Sequence, residues 1–396
     1  MTRREWFGPA AALLAPIRRR TVRREAALLM GGSGLAGATR MSAQTFLSAR
    51  GQFLNWSPEE ERYWFFSAED GLERFRRLAY AHPAACELRE IARSATGLPV
   101  YALRVGAGPR QIALISGMHG GEPSGPRGFL AYLDALLNSR TPFGVAVDRQ
   151  KILSAVTLYL IPLLNPGGAE RFAQHFPDAW HGTWIPEWTE ANKTRFFAEG
   201  NEPLHFFSGT YVKKPPMRFT PDQIAQWEAA GNVLGSSLTD QGLDIWFDWD
   251  DTHGAETRGL KNLLESVRPY CVADFHNFMF PTEVFAPTVY SQGALAEEER
   301  ALASALQTTW RARKLPFHDR PPRPYPKPAE KYYEDYWLHQ LGARALIIEA
   351  NGGMLAPEGA EYEPVPGERA LTRRESLQTV FSAVDTLVER LVLGIA

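Results

Sequence analysis

The chain has 396 residues, 44% of them hydrophobic and 22% charged, with two cysteines, Cys86 and Cys271, and a formal net charge of −2. This excludes a disordered or collagen-like chain, and two cysteines are too few for a disulfide scaffold or a cysteine-built zinc site, so two buried free thiols are expected. Eight Arg against two Glu make residues 1–43 a +6 segment and leave the rest at −8; an acidic body argues against a nucleic-acid groove, which needs a concentrated Lys/Arg face.

Near the start of the chain, Thr21-Val22-Arg23-Arg24 precedes a weakly apolar run from Ala26 to Ala38, and small residues offer cleavage points after Ala38 or Ala43. Twin Arg ahead of a short, mildly hydrophobic region resembles a bacterial twin-arginine export signal. Residues 1–43 are therefore expected to be such a signal or a disordered basic arm. With the signal the protein would reach the periplasm or the extracellular space; without it the protein would stay in the cytoplasm. No uninterrupted apolar stretch reaches the roughly 18 residues of a membrane-spanning helix. Residues 44–84 read as a lead-in.

From about residue 85 short apolar runs alternate with helical patterns, the rhythm of an α/β domain extending over 85–396. Strands are expected at Cys86–Ser94, Pro99–Val105, Gln111–Ser116, Val156–Leu164, Tyr270–Phe275 and Ala345–Glu349. Several are apolar throughout, as in strands covered on both faces. Helices are expected after Pro126, over Glu256–Val267, over Ala294–Lys314 and over Leu371–Leu393, the last with an apolar stripe from Leu377 to Leu391 that reads as core packing. Residues 173–241 break the rhythm with a run of aromatics from Phe176 to Trp227, an insertion expected to form a packed lobe. Pro316–Pro328 reads as a surface loop.

The strongest local signal is Ser116-Gly117-Met118-His119-Gly120-Gly121-Glu122-Pro123, between the strand at 111–116 and the following helix. His and Glu three apart on such a turn can reach one metal, and glycines let the backbone fold tightly around it. Asp274-Phe275-His276-Asn277 ends another strand and Ile347-Ile348-Glu349 the last one, so His276 and Glu349 fall at the sheet edge where α/β sites are built. Each residue alone could be structural: a satisfied core histidine, a helix N-cap Glu, an edge carboxylate. As an ordered set, His119, Glu122 and His276 form a two-His, one-Glu group with an open fourth position, the pattern of a catalytic zinc, and Glu349 is left over as a general base.

In order, these motifs, with Asn165-Pro166-Gly167-Gly168-Ala169-Glu170-Arg171-Phe172 and Glu256-Thr257-Arg258-Gly259-Leu260 between them, resemble the zinc carboxypeptidases related to carboxypeptidase A. The resemblance covers roughly residues 80–396 apart from the insertion. It implies a mixed, mostly parallel sheet of about eight strands flanked by helices. It also implies one zinc ion on His119, Glu122 and His276, with Glu349 as base.

The sequence departs from that family where substrate is gripped. Gly242-Leu243-Asp244-Ile245-Trp246-Phe247-Asp248-Trp249 puts Trp246 and Phe247 where the family carries the Asn-Arg pair that binds a peptide's terminal carboxylate. An aromatic ring cannot replace a guanidinium fork. Either other cations substitute (Arg171, Arg195, Lys213, Lys214 and Arg218 are candidates) or the substrate lacks a free carboxylate there. Trp246 and Phe247 would then be a stacking wall or plain core packing. Leu338 falls near the place of the family's tyrosine, with Tyr336 beside it. Asn165, Arg171, Trp246, Phe247 and Tyr336 are thus the candidate substrate-contacting residues. The run Asp248-Trp249-Asp250-Asp251 with His253 reads as a solvated loop or a cation site, and His175, His181 and His205 as surface or packing residues. The expected activity is zinc-dependent removal of a C-terminal residue from a peptide. The alternatives are deacylation of N-acyl amino acids or cell-wall peptides, and a non-catalytic binding protein on the same fold.

Overall fold

The computed structural model describes residues 58–65, 67–175, 220, 222, 238–250, 252–277, 282–324, 334–350 and 371–394. The basic segment 1–43, most of the aromatic insertion, Arg195, Lys213, Lys214, Arg218, His181, His205 and Asp251 lie outside them. All described residues belong to one compact unit, Phe53–Ala396.

Its centre is a seven-stranded sheet in the order β1-β2-β4-β3-β5-β7-β6, from β1 (Cys86–Arg93), β2 (Pro99–Val105), β3 (Arg110–Ser116), β4 (Val156–Ile161), β5 (Cys271–His276), β6 (Glu283–Phe285) and β7 (Arg344–Glu349). The four inner strands β4, β3, β5 and β7 run parallel, and the outer ones pair antiparallel. The inner strands are apolar almost throughout because parallel strands are covered on both faces; every residue of β4 and β5 is buried. β4 stops three residues before the expected Leu164, since Pro162 has no N–H to give a ladder. The strand not foreseen is β6, only three residues long.

Nine described α-helices flank this sheet: α1 (Pro58–Tyr63), α2 (Ala68–Ala81), α3 (Ser124–Asn138), α4 (Arg149–Ala155), α5 (Pro166–His175), α6 (Ala255–Val267), α7 (Gly293–Ala312), α8 (Glu334–Leu341) and α9 (Arg373–Leu393). The stripe of α9 from Leu377 through Phe381 and Val384 to Val388 is wholly buried, each large side chain contributing about 1.5–3 kcal/mol of hydrophobic stabilisation. Thr372 and Glu375 close its N-terminus with a reciprocal capping box, and Gly394 ends it in the left-handed conformation. From the lead-in, Trp64, Phe65 and Phe75 enter the same core. Cys86 and Cys271 are buried free thiols, and burial pushes Cys86 up to about 12. Among the described residues no helix is long and apolar enough to cross a membrane.

One loop differs from its sequence reading, whereas the described part of the Pro-rich stretch is a surface loop as expected. Asp248 is not in a solvated loop: it is buried and accepts hydrogen bonds from the backbone amides of His253 (2.8 Å) and Gly254 (2.7 Å), capping the turn into α6. Residues 317–323 of the Pro-rich stretch lie along the free edge of β6, with bridges from Thr282 to Phe317 and from Phe285 to Arg323.

Candidate metal centre

Three strand ends build the site. β3 stops at Ser116, and Gly117, at φ +63°, turns the chain into the His119–Glu122 loop ahead of α3. The loop entering α5 lies directly beneath, with the amides of Leu164 and Asn165 donating to the carbonyls of Ser116 (3.0 Å) and Gly117 (2.8 Å). A Cβ on Gly120 would stand 2.3 Å from the Ala169 backbone nitrogen, so only glycine fits there. β5 delivers His276 as its last residue and β7 delivers Glu349 as its own, and the two are direct partners across the ladder.

The ligand atoms converge. His119 Nδ1 stands 2.9 Å from Glu122 Oε1, His276 Nδ1 3.1 Å from Glu122 Oε2, and the two Nδ1 atoms are 3.3 Å apart. Two ligands of a tetrahedral zinc, each at about 2.0–2.1 Å, are separated by roughly 3.3 Å, so this spacing suits one such ion. All three side chains are buried. On the far side of the His276 ring, Nε2 lies 2.6 Å from Asp274 Oδ2. A carboxylate at that distance accepts the hydrogen bond of Nε2–H and leaves Nδ1 to face Glu122. Lone pairs and a carboxylate crowded together need a positive charge between them. Without a metal that charge is a proton: burial alone would lower His276, but Asp274 and Glu122 outweigh it and hold the imidazole well above its ordinary range. Burial likewise would raise Glu122, yet His119 and His276 hold it down at about 2.

Trp246, with Phe247, sits on a short buried turn, Ile245–Phe247, whose first free amide is capped by Asp244 Oδ1 at 3.0 Å from Trp246 N. The Trp246 ring stacks on His276 at 5.2 Å and tilts against His119 at 5.3 Å. Of the two readings of this position, the geometry fits packing, here against the two candidate ligand rings. Arg171 donates to the carbonyls of Leu238 (3.1 Å) and Thr239 (3.0 Å), tying the returning end of the insertion to α5. Asn165 is fully buried and its Oδ1 accepts from the Gly168 amide at 2.9 Å, capping α5. Tyr336 is partly buried with its ring 5.1 Å from Tyr290.

Sequence reasoning missed the layer behind the ligands. Asp274 was legible, because residues two apart on a strand share a face and an Asp two before a ligand His can reach its second nitrogen. Glu334, the first residue of α8, comes within 4.8 Å of the Asp274–His276 pair; no local pattern signals it. The loop carrying Glu122 is further tied down through Asn277 Nδ2, which donates to Ser124 Oγ at 2.6 Å.

A family model described as zinc carboxypeptidase matches residues 72–353. Among solved structures, the metallo-carboxypeptidase of Burkholderia cenocepacia is similar at 14% identity and TM-score 0.53, over 82% of this chain and 69% of that one. The carboxypeptidase A of Helicoverpa armigera is similar at 12% identity and TM-score 0.52, over 89% and 82%. No curated protein sequence matches the chain significantly. The structural likeness shows the shared fold, and the family match spans more than half of the chain. With a His, Glu, His group at the strand ends, the protein is a zinc hydrolase and belongs to the zinc carboxypeptidase family.

Proposed function

We propose that the protein hydrolyses the amide bond of a peptide to release its C-terminal residue, with His119, Glu122 and His276 holding zinc and Glu349 moving the proton. The carrying observation is the 3.1 Å approach of His276 Nδ1 to Glu122 Oε2 while Nε2 is engaged by Asp274, an arrangement that calls for a cation among the three ligands. The chemistry such an ion supplies when bound is polarisation of a carbonyl and acidification of water. The chain's own contribution begins with Glu349, buried and in register with His276. Its carboxylate takes a proton from water as the oxygen adds to the carbonyl carbon. It then returns that proton to the nitrogen as the C–N bond breaks, leaving an acid and an amine. Asp274 fixes the His276 tautomer, and Trp246 packs over both imidazoles and keeps bulk water off that side.

A second reading, deacylation of an N-acyl amino acid or a cell-wall peptide, is favoured by one observation: Trp246 and Phe247, at the place of the carboxylate-binding pair, are buried and offer no charge. Rates on free-acid and amidated peptide ends separate the two, because a carboxypeptidase requires the free acid.

The first test is zinc per chain in the purified protein beside His276→Ala. About one ion in the parent and little in the variant supports the ligand assignment; equal content in both would sink it. The export reading is also part of this proposal. A mature N-terminus just after Ala38 or Ala43 in mass spectrometry supports it, and an intact Met1 or Thr2 counts against it.

A further inference from the structure

The row of residues that carries His276 and Glu349 continues one strand further. Glu349 pairs with His276 on one side and with Glu283 of β6 on the other. Residues directly opposed on neighbouring strands share a face of the sheet, so Glu283 stands beside the base on the side away from the metal ligands. Its side chain is only 2% exposed, yet two arginines hold it: Arg320 through Nε at 2.8 Å and through Nη2, and Arg323 through Nε at 3.1 Å. Both come from the stretch laid along β6, which is pinned by the Ala286 amide to the Arg323 carbonyl (3.1 Å) and by the His318 amide to the Thr282 carbonyl (2.8 Å).

Glu283 can neutralise only one of its two guanidiniums. The nearest acid in sequence, Asp319, is already paired with Arg311 at 2.5 Å. Arg320 and Arg323 remain 39% and 40% exposed. Among the described residues, the terminal nitrogens of Arg323 make no hydrogen bond, and its guanidinium is held over the Phe285 ring at 5.5 Å. A structural staple for Glu283 needs one bidentate arginine, which Arg320 provides. A second, with its fork unspent, suits an anion that arrives from outside, since an arginine fork matches a carboxylate in two parallel hydrogen bonds.

We propose that Glu283, Arg320 and Arg323 form a subsite one strand beyond Glu349 that binds a carboxylate of the substrate, with Arg323 as its specificity-determining residue. It supplies the charge that Trp246 and Phe247 do not, and so deepens the amide-hydrolysis reading on which it rests. The carboxylate comes from the terminus of the leaving residue or from an acidic side chain on it.

Binding tests the subsite apart from turnover. Calorimetry on the zinc-loaded full chain carrying Glu349→Gln would compare acetyl-Ala-Ala as free acid, the same peptide as amide, and acetyl-Ala-Glu with an amidated end. At least one carboxylate-bearing peptide should bind about tenfold tighter than the plain amide. Arg323→Gln should abolish that margin and leave the plain amide unchanged. Whichever acid loses its margin identifies the source. Glu283→Gln guards against misfolding as the cause, because it frees both forks and should widen the margin, whereas a mere staple would loosen. No carboxylate preference in the parent, or a preference that survives Arg323→Gln, overturns the subsite. If the preference is present and lost as expected but the chain with Glu349 intact cleaves none of these peptides, the hydrolysis reading fails and the subsite stands. Cleavage that depends on Glu349 but ignores Arg323 keeps the hydrolysis reading and removes the subsite.

Discussion

At His276 the proposed ligand role depends on the neighbour two residues back. Asp274 accepts from Nε2 at 2.6 Å, so Nδ1 is the nitrogen left for the proposed metal. Asp274→Asn keeps the size of that partner but removes its charge, which makes Nδ1 less basic. Zinc affinity should fall about 10–100-fold, as measured by competition with a chromophoric chelator; an unchanged affinity would mean that Asp274 only fills space. Glu349→Gln should behave differently, retaining zinc while turnover of any cleaved peptide drops by roughly 10²–10⁴-fold. A variant that held zinc and hydrolysed at the parental rate would remove Glu349 from the mechanism. The ligands themselves were legible because His119 and Glu122 stand three apart on a strand-to-helix turn and His276 ends an apolar strand. The fate of Trp246 was not, because a buried aromatic in the core and an aromatic wall in a cleft look alike in sequence.

At the scale of elements, the site depends on how closely two turns approach each other. The His119–Glu122 loop lies on the first turn of α5, and a Cβ at Gly120 would meet the Ala169 backbone nitrogen at 2.3 Å. Gly120→Ala must push one turn off the other, so it should cost about 1–3 kcal/mol in thermal unfolding and also reduce bound zinc. Full zinc content with an unchanged Tm would show slack in that contact. Thr372→Ala is the contrast. It removes the side-chain half of the cap on α9, should cost about 1 kcal/mol, and should leave zinc untouched; a loss of zinc there would mean that the helix end and the site are coupled. The four inner strands were legible because strands covered on both faces carry nearly uninterrupted apolar residues, and the outer β1 and β2 were legible as segments of eight and seven residues. β6 escaped because three residues, one of them the charged Glu283, are too few to show any period, and Glu283 owes its burial to arginines 37 and 40 residues away.

For the molecule as a whole, stability is tied to pH through acids that the sequence presents as ordinary helix residues. Glu256 stands in the first turn of α6 within the Glu-Thr-Arg motif and is 2% exposed. Burial pushes its carboxyl up to about 7; its own backbone amide pulls the other way, and Asp240 and Asp248 add to the rise. A carboxyl with a raised value in the folded state binds its proton more tightly there than in the unfolded chain. Its contribution is therefore complete below the unfolded value near 4.5 and is lost as pH rises through about 7. A shift of this size corresponds to a stability loss of order 3 kcal/mol between those limits. Glu256→Gln keeps the shape and a neutral group while removing the titration, so parent and variant should be similarly stable near pH 4 and the variant should be the more stable above pH 7. Denaturant unfolding of the zinc-stripped proteins across that range reads the difference without linked metal binding, and the ligands' own titration is common to both proteins and cancels. Parallel curves for the two proteins would show that Glu256 ionises as freely in the fold as in the open chain. A gap that opens between about pH 4.5 and 7 would place this buried acid among the costs the fold carries at neutral pH.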